Sequence, residues 1–560
     1  MIVSLLTLLL KYALFFIVFH LSGKSTIKIY EFVSKRKVPQ EILFTNTKII
    51  YPILGLFSIG NLLVFFNFFL PLENNYVFLI LLVFNIPALI DLKIKFKFDL
   101  IILIKYLAIP TILVISTFDT SFNYDAGYYH IYHQAWLRES NLILGFVNIF
   151  WPLGMSSIYE YLSAILWFDT SFVLLHFLNL IFIHFFYNFI FENIINNVHS
   201  DLKVASIFLL IYSFLDNFGI GGGRNGFIYI QGVGKQDIAV GILFFFISIV
   251  LIKAIKDKHF SNVDIFFVSL LILFLYEIKL SSVIIAVIYI IYLRGAYKNN
   301  DFKYILLPNI FAISIFLIWT LKSFLTTACL IFPVTVTCFE SMNWYVLGST
   351  ESYEGITKFA SYSYELSIPF MDWVRETGSF EYRRQVFLNF IFSFLILCFI
   401  KILFFRNKKF DISSRNTLLL SLSFVFFNFI YLLFYGPIPR YAVGVCLLVI
   451  SLIGFFSKDT FKKIPILLTS TLVVASLFLV VRSSSYLSLL NNEEFRIFDP
   501  RTNNEINNEI GFEPFKNGWV LARDSDQCWS NTKCLNAEVD LQIIDGQIFK
   551  TVYKMNKNNE

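Results

Sequence analysis

The chain has 560 residues, 57% of them hydrophobic and 15% charged, with 68 Phe and a formal net charge of +6; its mean hydropathy is +0.69. Soluble globular chains carry roughly 25% charged residues, so a water-soluble domain with a polar surface is excluded. Apolar runs of about 15–22 residues recur along the chain, close to the length that crosses a bilayer core of about 30 Å, and the chain reads as an all-α polytopic membrane protein. The expected medium is a lipid bilayer, and no nucleic-acid partner is expected.

Residues 1–22 (MIVSLLTLLLKYALFFIVFHLS) have no basic stretch ahead of the apolar run and no small-x-small cleavage site. A retained first span is therefore expected rather than a cleaved signal. Basic residues then concentrate in the loops 23–48, 92–100, 253–262, 294–303, 401–415 and 457–463. Lys and Arg beside spans resist translocation, which assigns these loops to the cytoplasm. It puts 71–76, 118–148, 218–235, 321–385, 436–440 and the tail from about 482 outside. About fourteen spans with both ends outside satisfy the pattern, provided that 149–168 does not cross. Pro152, Gly154 and Glu160 suit a re-entrant or half-submerged element there. Residues 263–293 carry basic flanks at both ends and are expected to be two short spans meeting at Glu277–Ser282. The organisation predicted is a transmembrane domain over 1–481, followed by a cap over 482–560. GWVLAR (518–523) and AEVDLQII (537–544) alternate like strands, so the tail is expected to be a small mixed α/β unit.

The six cysteines follow the same division. Cys329 and Cys338 share an outer loop, ACLIFPVTVTCF, and Cys528 and Cys534 share the tail segment QCWSNTKC. Close pairs in an oxidising compartment point to two disulfides. A zinc site is the alternative, although neither pair has C-x₂-C spacing. Cys398 and Cys446 fall inside spans and read as small core residues.

Polar residues able to carry chemistry gather outside, next to span ends. SFNYDAGYYHIYHQAW (121–136) holds Asp125, His130 and His133, with Asp119 just before it. GIGGGRNGFIYIQGVGKQD (219–237) holds Arg224, Lys235 and Asp237. The break at 277–282 holds Glu277 and Lys279, and GPIPRY (436–441) holds Arg440. Arg224, Lys235, Lys279 and Arg440 place several cations at one membrane level, and arginine forks suit phosphate oxygens. An aspartate on the same side can take a proton from an incoming hydroxyl, while cations stabilise charge building on a phosphate leaving group. Sugar transfer from a polyprenyl-phosphate donor to a glycan or lipid acceptor needs both functions. The Gly-rich segment is no nucleotide loop, since it lacks G-x-x-x-x-G-K-[ST].

YDAGYYH (124–130), PLGMSS (152–157), VGKQD (233–237), IKLSS (278–282), CLIFPVTVTCF (329–339) and PIPRYAVG (437–444) together resemble an uncharacterised bacterial surface-polysaccharide branch of the C-type membrane glycosyltransferase superfamily. The resemblance spans most of residues 100–540, on short motifs. It implies a first outer loop aspartate acting as general base, which maps onto Asp125 with Asp119 as competitor. It also implies an inner-membrane enzyme with its site facing the periplasm and inversion at the sugar. His130 would orient Asp125 or contact sugar; Arg224, Lys235, Asp237, Lys279 and Arg440 would surround the donor phosphate. Asp125 is followed by Ala126 rather than by a second acid, which leaves a divalent-metal requirement open. No metal ligand is assigned, and Asp125 with His130 and His133 is the trio that would supply one. A W-W-D-type motif is absent, which argues against protein N-glycosylation.

Each residue also has a plainer role. Asp125 suits a helix cap ahead of Tyr128, and the tyrosines and Trp136 suit a membrane interface. Glu277 and Lys279 would neutralise each other as an ion pair, and Arg440 could snorkel. A flippase or exporter of lipid-linked saccharide would share the cations but would need ionisable groups deep within its spans. A polymerase or ligase using the same carriers is the other alternative.

Overall fold

The structure is a computed structural model. It describes residues 2–90, 100–116, 122, 124–167, 172–196, 199–218, 235–298, 300–360, 371–372, 375, 381–407, 412–435, 438–458, six helical positions between 469 and 480, 511–522 and 526–554. The helices are α1 (Ile2–Ser34), α2 (Thr47–Asn67), α3 (Asn75–Ile90), α4 (Leu100–Leu103), α5 (Ile109–Ser116), α6 (Ile131–Glu139), α7 (Ile158–Ala164), α8 (Phe177–Asn196) and α9 (Ser200–Asp216). They continue with α10 (Asp237–Asp257), α11 (Asn262–Ile278), α12 (Ile285–Tyr297), α13 (Phe302–Thr327), α14 (Ser349–Ala360), α15 (Glu381–Phe404), α16 (Ile412–Tyr435) and α17 (Val443–Phe455).

Among the described residues, seven helices are long and apolar enough to cross a membrane, and four shorter apolar helices of 10–17 residues accompany them. The protein is a mostly helical membrane protein. In α8 and α10, 89% of the apolar window is buried, against 17% in α13 and α15. The first pair therefore forms the centre, while the second turns its apolar side chains outward, as only lipid permits over such a length. In α10 the local chemistry agrees with the fold: Asp237 opens the first turn and Lys256 closes the last, each complementing the helix dipole. Lys258 then stops the helix in the left-handed region at φ 54°.

The two ends of the bundle differ in character. At one end β1 (Glu41–Ile42) pairs with β2 (Thr45–Asn46), and Asp264 accepts the Leu43 N–H at 2.9 Å. Around that hairpin His199 pairs with Glu41 at 2.5 Å, and Asp201 with Lys253 at 3.5 Å and Lys256 at 2.5 Å. Tyr304 donates to the Phe260 carbonyl at 2.7 Å. Strands β4 (Arg406–Asn407) and β5 (Ser457–Lys458) pair beside α9. The described parts of five of the six basic loops thus meet at this end; the sixth, 92–100, lies outside the described residues except for Leu100.

The opposite end carries the rest. Chain 149–168 does not cross: a 3₁₀ turn at Trp151–Met155 leads into α7, whose seven residues span only about 10 Å. Residues 263–293 are indeed two helices, α11 and α12, joined by a 3₁₀ turn at Leu280–Ser282. The described tail holds β6 (Phe512–Pro514), β7 (Val520–Ala522), β8 (Cys534–Leu535), β9 (Leu541–Asp545) and β10 (Lys550–Lys554). Their sheets run β6-β7-β8 and β3-β10-β9, the latter taking in β3 (Ile143–Leu144) from just after α6. Parallel pairing of Lys550 with Ile143 and Thr551 with Leu144 docks the tail onto the arm that follows Asp125.

Candidate functional site

Three breaks in helical structure build the site. The first precedes α10, where Lys235 and Gln236 lead into Asp237; the Lys235 carbonyl accepts from Asn179 Nδ2 at 2.7 Å, and Tyr159 holds Asn179 at 3.1 Å. The second is the end of α11. Lys279 takes an extended conformation (φ −158°, ψ 124°), and its carbonyl accepts from Ser282 Oγ at 2.7 Å. That extended residue throws the lysine side chain away from the α11 face that Glu277 occupies. The third is the 3₁₀ turn Pro439–Ala442, where proline opens a helix start without losing a bonded N–H.

The three breaks converge on Asp237. Lys279 Nζ donates to its Oδ1 at 2.6 Å, and Arg440 Nε lies 3.2 Å from its Oδ2, an ion pair without hydrogen-bond alignment. The Tyr441 ring sits 4.0 Å from Lys279 Nζ and 5.4 Å from Arg440 Cζ, so both cations also meet an aromatic face. These groups line a cleft of about 430 Å³, counting space open to solvent, together with Asn428 and Tyr431.

Asp125 stands just before a π turn, Ala126–His130, and its side chain caps no backbone N–H. Lys235 Nζ bonds its carboxylate instead. Burial pushes the Asp125 carboxyl up, but the Lys235 ammonium, with His130 and Arg440 behind it, holds it below the ordinary carboxylate range. Lys279 behaves in the mirror sense: burial lowers it, and the Asp237 charge more than restores it, leaving it raised. Lys235, Lys279 and Arg440 against Asp125 and Asp237 leave one positive charge in excess among these five groups.

His130 faces elsewhere. Its Nδ1 lies 2.6 Å from Glu160 Oε1, and Glu160 also accepts from Gln134 Nε2 at 2.9 Å and Gln236 Nε2 at 3.4 Å. Burial raises Glu160, but His130 and its neighbours bring it below the ordinary range. Orientation of Asp125 by His130 is therefore not direct; Gln236, adjoining both Lys235 and Asp237, links the two groups. His133 is buried, against Ser156 Oγ at 3.5 Å and the Phe146 ring at 5.3 Å, and burial takes it down to about 4. Among the described residues no group of three or more His, Cys, Asp or Glu could hold a metal ion, so Asp125, His130 and His133 do not form a ligand set.

The ion pair that is the plainer reading of Glu277 and Lys279 does not form; Lys279 instead lines the cleft, the other reading of these residues. Glu277 accepts from Asn61 Nδ2 at 2.9 Å and is 1% exposed. Lys322, 2% exposed, lies over the Trp319 ring at 3.8 Å. Arg224 and the Gly-rich segment lie outside the described residues, as does Asp119. Cys329 and Cys338 are bonded, as are Cys528 and Cys534; Cys398 and Cys446 are free. Sequence reasoning missed Glu160, Gln236 and Tyr441 as members of the cluster. Gln236 and Tyr441 adjoin predicted residues, whereas nothing local in the sequence marks Glu160 as a partner of His130.

A family described as Domain of unknown function (DUF8201) matches residues 5–447, and the chain belongs to it. No curated protein and no solved structure matches the chain.

Proposed function

We propose that the protein is a membrane glycosyltransferase that moves a sugar from a polyprenyl-phosphate donor to a glycan or lipid acceptor in surface-polysaccharide synthesis. The single observation carrying this reading is the convergence of Asp125 and Lys235 with Asp237, Lys279, Arg440 and Tyr441 at the end of the bundle opposite the basic loops. The four shorter apolar helices are read as further spans, giving eleven among the described residues, and about fourteen are proposed for the whole chain. The site would face the periplasm from the inner membrane, because the basic end stays in the cytoplasm.

The acceptor hydroxyl oxygen bonds the anomeric carbon from the face opposite the phosphate, and its proton goes to Asp125. The carbon–oxygen bond to phosphate breaks with its electron pair on the phosphate oxygen, so the departing polyprenyl phosphate gains one negative charge. In this reading Lys279 and Arg440 take up that charge. While Lys235 holds Asp125 the carboxylate is a weak base. A phosphate that draws Lys235 away strengthens the base, and protonated Asp125 no longer competes for the lysine.

One observation favours a second reading, movement of lipid-linked saccharide across the bilayer. Glu277 and Lys322 are buried ionisable residues in α11 and α13, which transport needs and surface chemistry does not. The test is release of polyprenyl phosphate by purified protein in liposomes supplied with polyprenyl-phosphate sugars and an acceptor. Asp125→Asn is expected to lower the rate by about 10²–10⁴-fold. Equal rates for the two proteins overturn the base; translocation without release supports the second reading.

A further inference from the structure

The segment presenting Asp125 takes much of its support from the far end of the chain. Trp529 N–H donates to the Gly127 carbonyl at 2.9 Å, Gln527 Nε2 to the Tyr124 carbonyl at 3.2 Å and Asn536 Nδ2 to the Tyr128 carbonyl at 3.1 Å. The Tyr124 hydroxyl bonds Asp526. All four tail residues lie in or beside the loop closed by Cys528–Cys534. Together they satisfy backbone carbonyls on both sides of Asp125, at a π turn, a wider and rarer helical turn that recurs at functional sites.

The indole of Trp529 does more than pad this contact. A Cβ at Gly127 would lie 2.3 Å from Trp529 Cε2, 2.5 Å from its Nε1 and 2.7 Å from Gln527 Oε1, so the close approach requires glycine there. The indole also meets the Phe122 ring edge-on at 5.6 Å and 77°. Phe122 and Gly127 bracket Asp125 in sequence, and one side chain thus braces the chain before and after the carboxylate. Trp529 itself sits in the left-handed region, φ 48°, a conformation costly for a bulky residue and kept only where surrounding structure imposes it.

We propose that Trp529 is a positioning residue: by seating on Gly127 from the Cys528–Cys534 loop, it fixes the turn that presents the Asp125 carboxylate. The consequence for catalysis rests on the proposed role of Asp125 as base; the mechanical coupling does not.

The test uses the full-length protein in detergent or liposomes, comparing wild type with Trp529→Ala, Trp529→Phe and Gly127→Ala. Backbone amide exchange over 124–130 is expected to rise by about tenfold or more in Trp529→Ala and Gly127→Ala, and to stay near wild type in Trp529→Phe. Mass analysis confirms that Cys528–Cys534 remains bonded and unfolding curves that the bundle remains folded. Unchanged exchange in Trp529→Ala, or loosening by Phe equal to that by Ala, overturns the proposal. In the transfer assay Trp529→Ala is expected to lower kcat by about 10–100-fold with donor KM within about twofold, because Lys279 and Arg440 are untouched. Wild-type kcat in Trp529→Ala counts against the proposal. If the wild type transfers no sugar but exchange responds as described, the glycosyltransferase reading falls and the coupling stands.

Discussion

Asp237 serves two cations of the candidate site at once, so its loss unpairs both. Removing its charge leaves Lys279 and Arg440, which both line the cleft, without their shared anion. Buried pairs broken on one side cost about 3–5 kcal/mol. Lys279 and Arg440 side chains are 28% and 30% exposed, so solvent offsets part of this, and Asp237→Asn is expected to cost roughly 2 kcal/mol. Thermal unfolding in detergent reads the loss, and Asp237→Glu should recover part of it. His133 supplies a pH dependence of known sign. Its folded value of about 4 lies below the ordinary 6.5, so the unfolded chain binds the extra proton between those values. Its contribution is complete above about 6.5 and is lost as pH falls toward 4. Glu160 raises it, while burial, Lys322 and His130 lower it. Wild type is expected to lose about 2 kcal/mol more than His133→Gln between pH 7 and pH 5, which chemical denaturation at the two pH values measures.

Between elements, the packing of α10 against α17 sets the distance between Asp237 and Arg440. Gly241 and Gly444 permit the approach: a Cβ at Gly444 would lie 2.8 Å from Phe244 Cβ and 2.9 Å from the Gly241 carbonyl oxygen. Gly444→Ala is therefore expected to destabilise by about 1–3 kcal/mol and to weaken retention of anionic lipid, measured together by unfolding and by lipid binding to the detergent-purified protein. The helices themselves were legible. Runs such as Asp237–Asp257 announce their length, their ends and their dipole-matched charges. The break at Glu277–Ser282 was legible too, because basic flanks on both sides forbid one long crossing. The partners of the charged groups were not. Glu277 and Lys279 are two residues apart, and only the extended backbone at Lys279 sends one to Asn61 and the other to Asp237.

Across the whole molecule the basic hairpin end and the cap end occupy opposite poles of the bundle, and the sidedness can be tested directly. Glu41→Cys and Asp545→Cys, both exposed positions, are placed singly in a background with Cys398 and Cys446 replaced by Ser. An impermeant maleimide should label position 545 in intact cells and position 41 only after permeabilisation. Labelling of both from one side overturns the topology.

The sequence by itself determined the solvent, because a chain with so few charges and so many long apolar runs can bury its surface only in lipid. It also determined which loops cluster, since charge that cannot enter a bilayer collects at one end, and it pointed to the two cysteine pairs, which the structure bonds over loops of 10 or fewer residues. Tertiary structure alone decided that Asp125 meets Lys235 across 110 positions, that one aspartate serves two distant cations, and that residues more than 400 positions away bind the turn beside Asp125. Those contacts depend on how helices pack side by side, and hydrophobic periodicity carries no record of which polar ends that packing brings together.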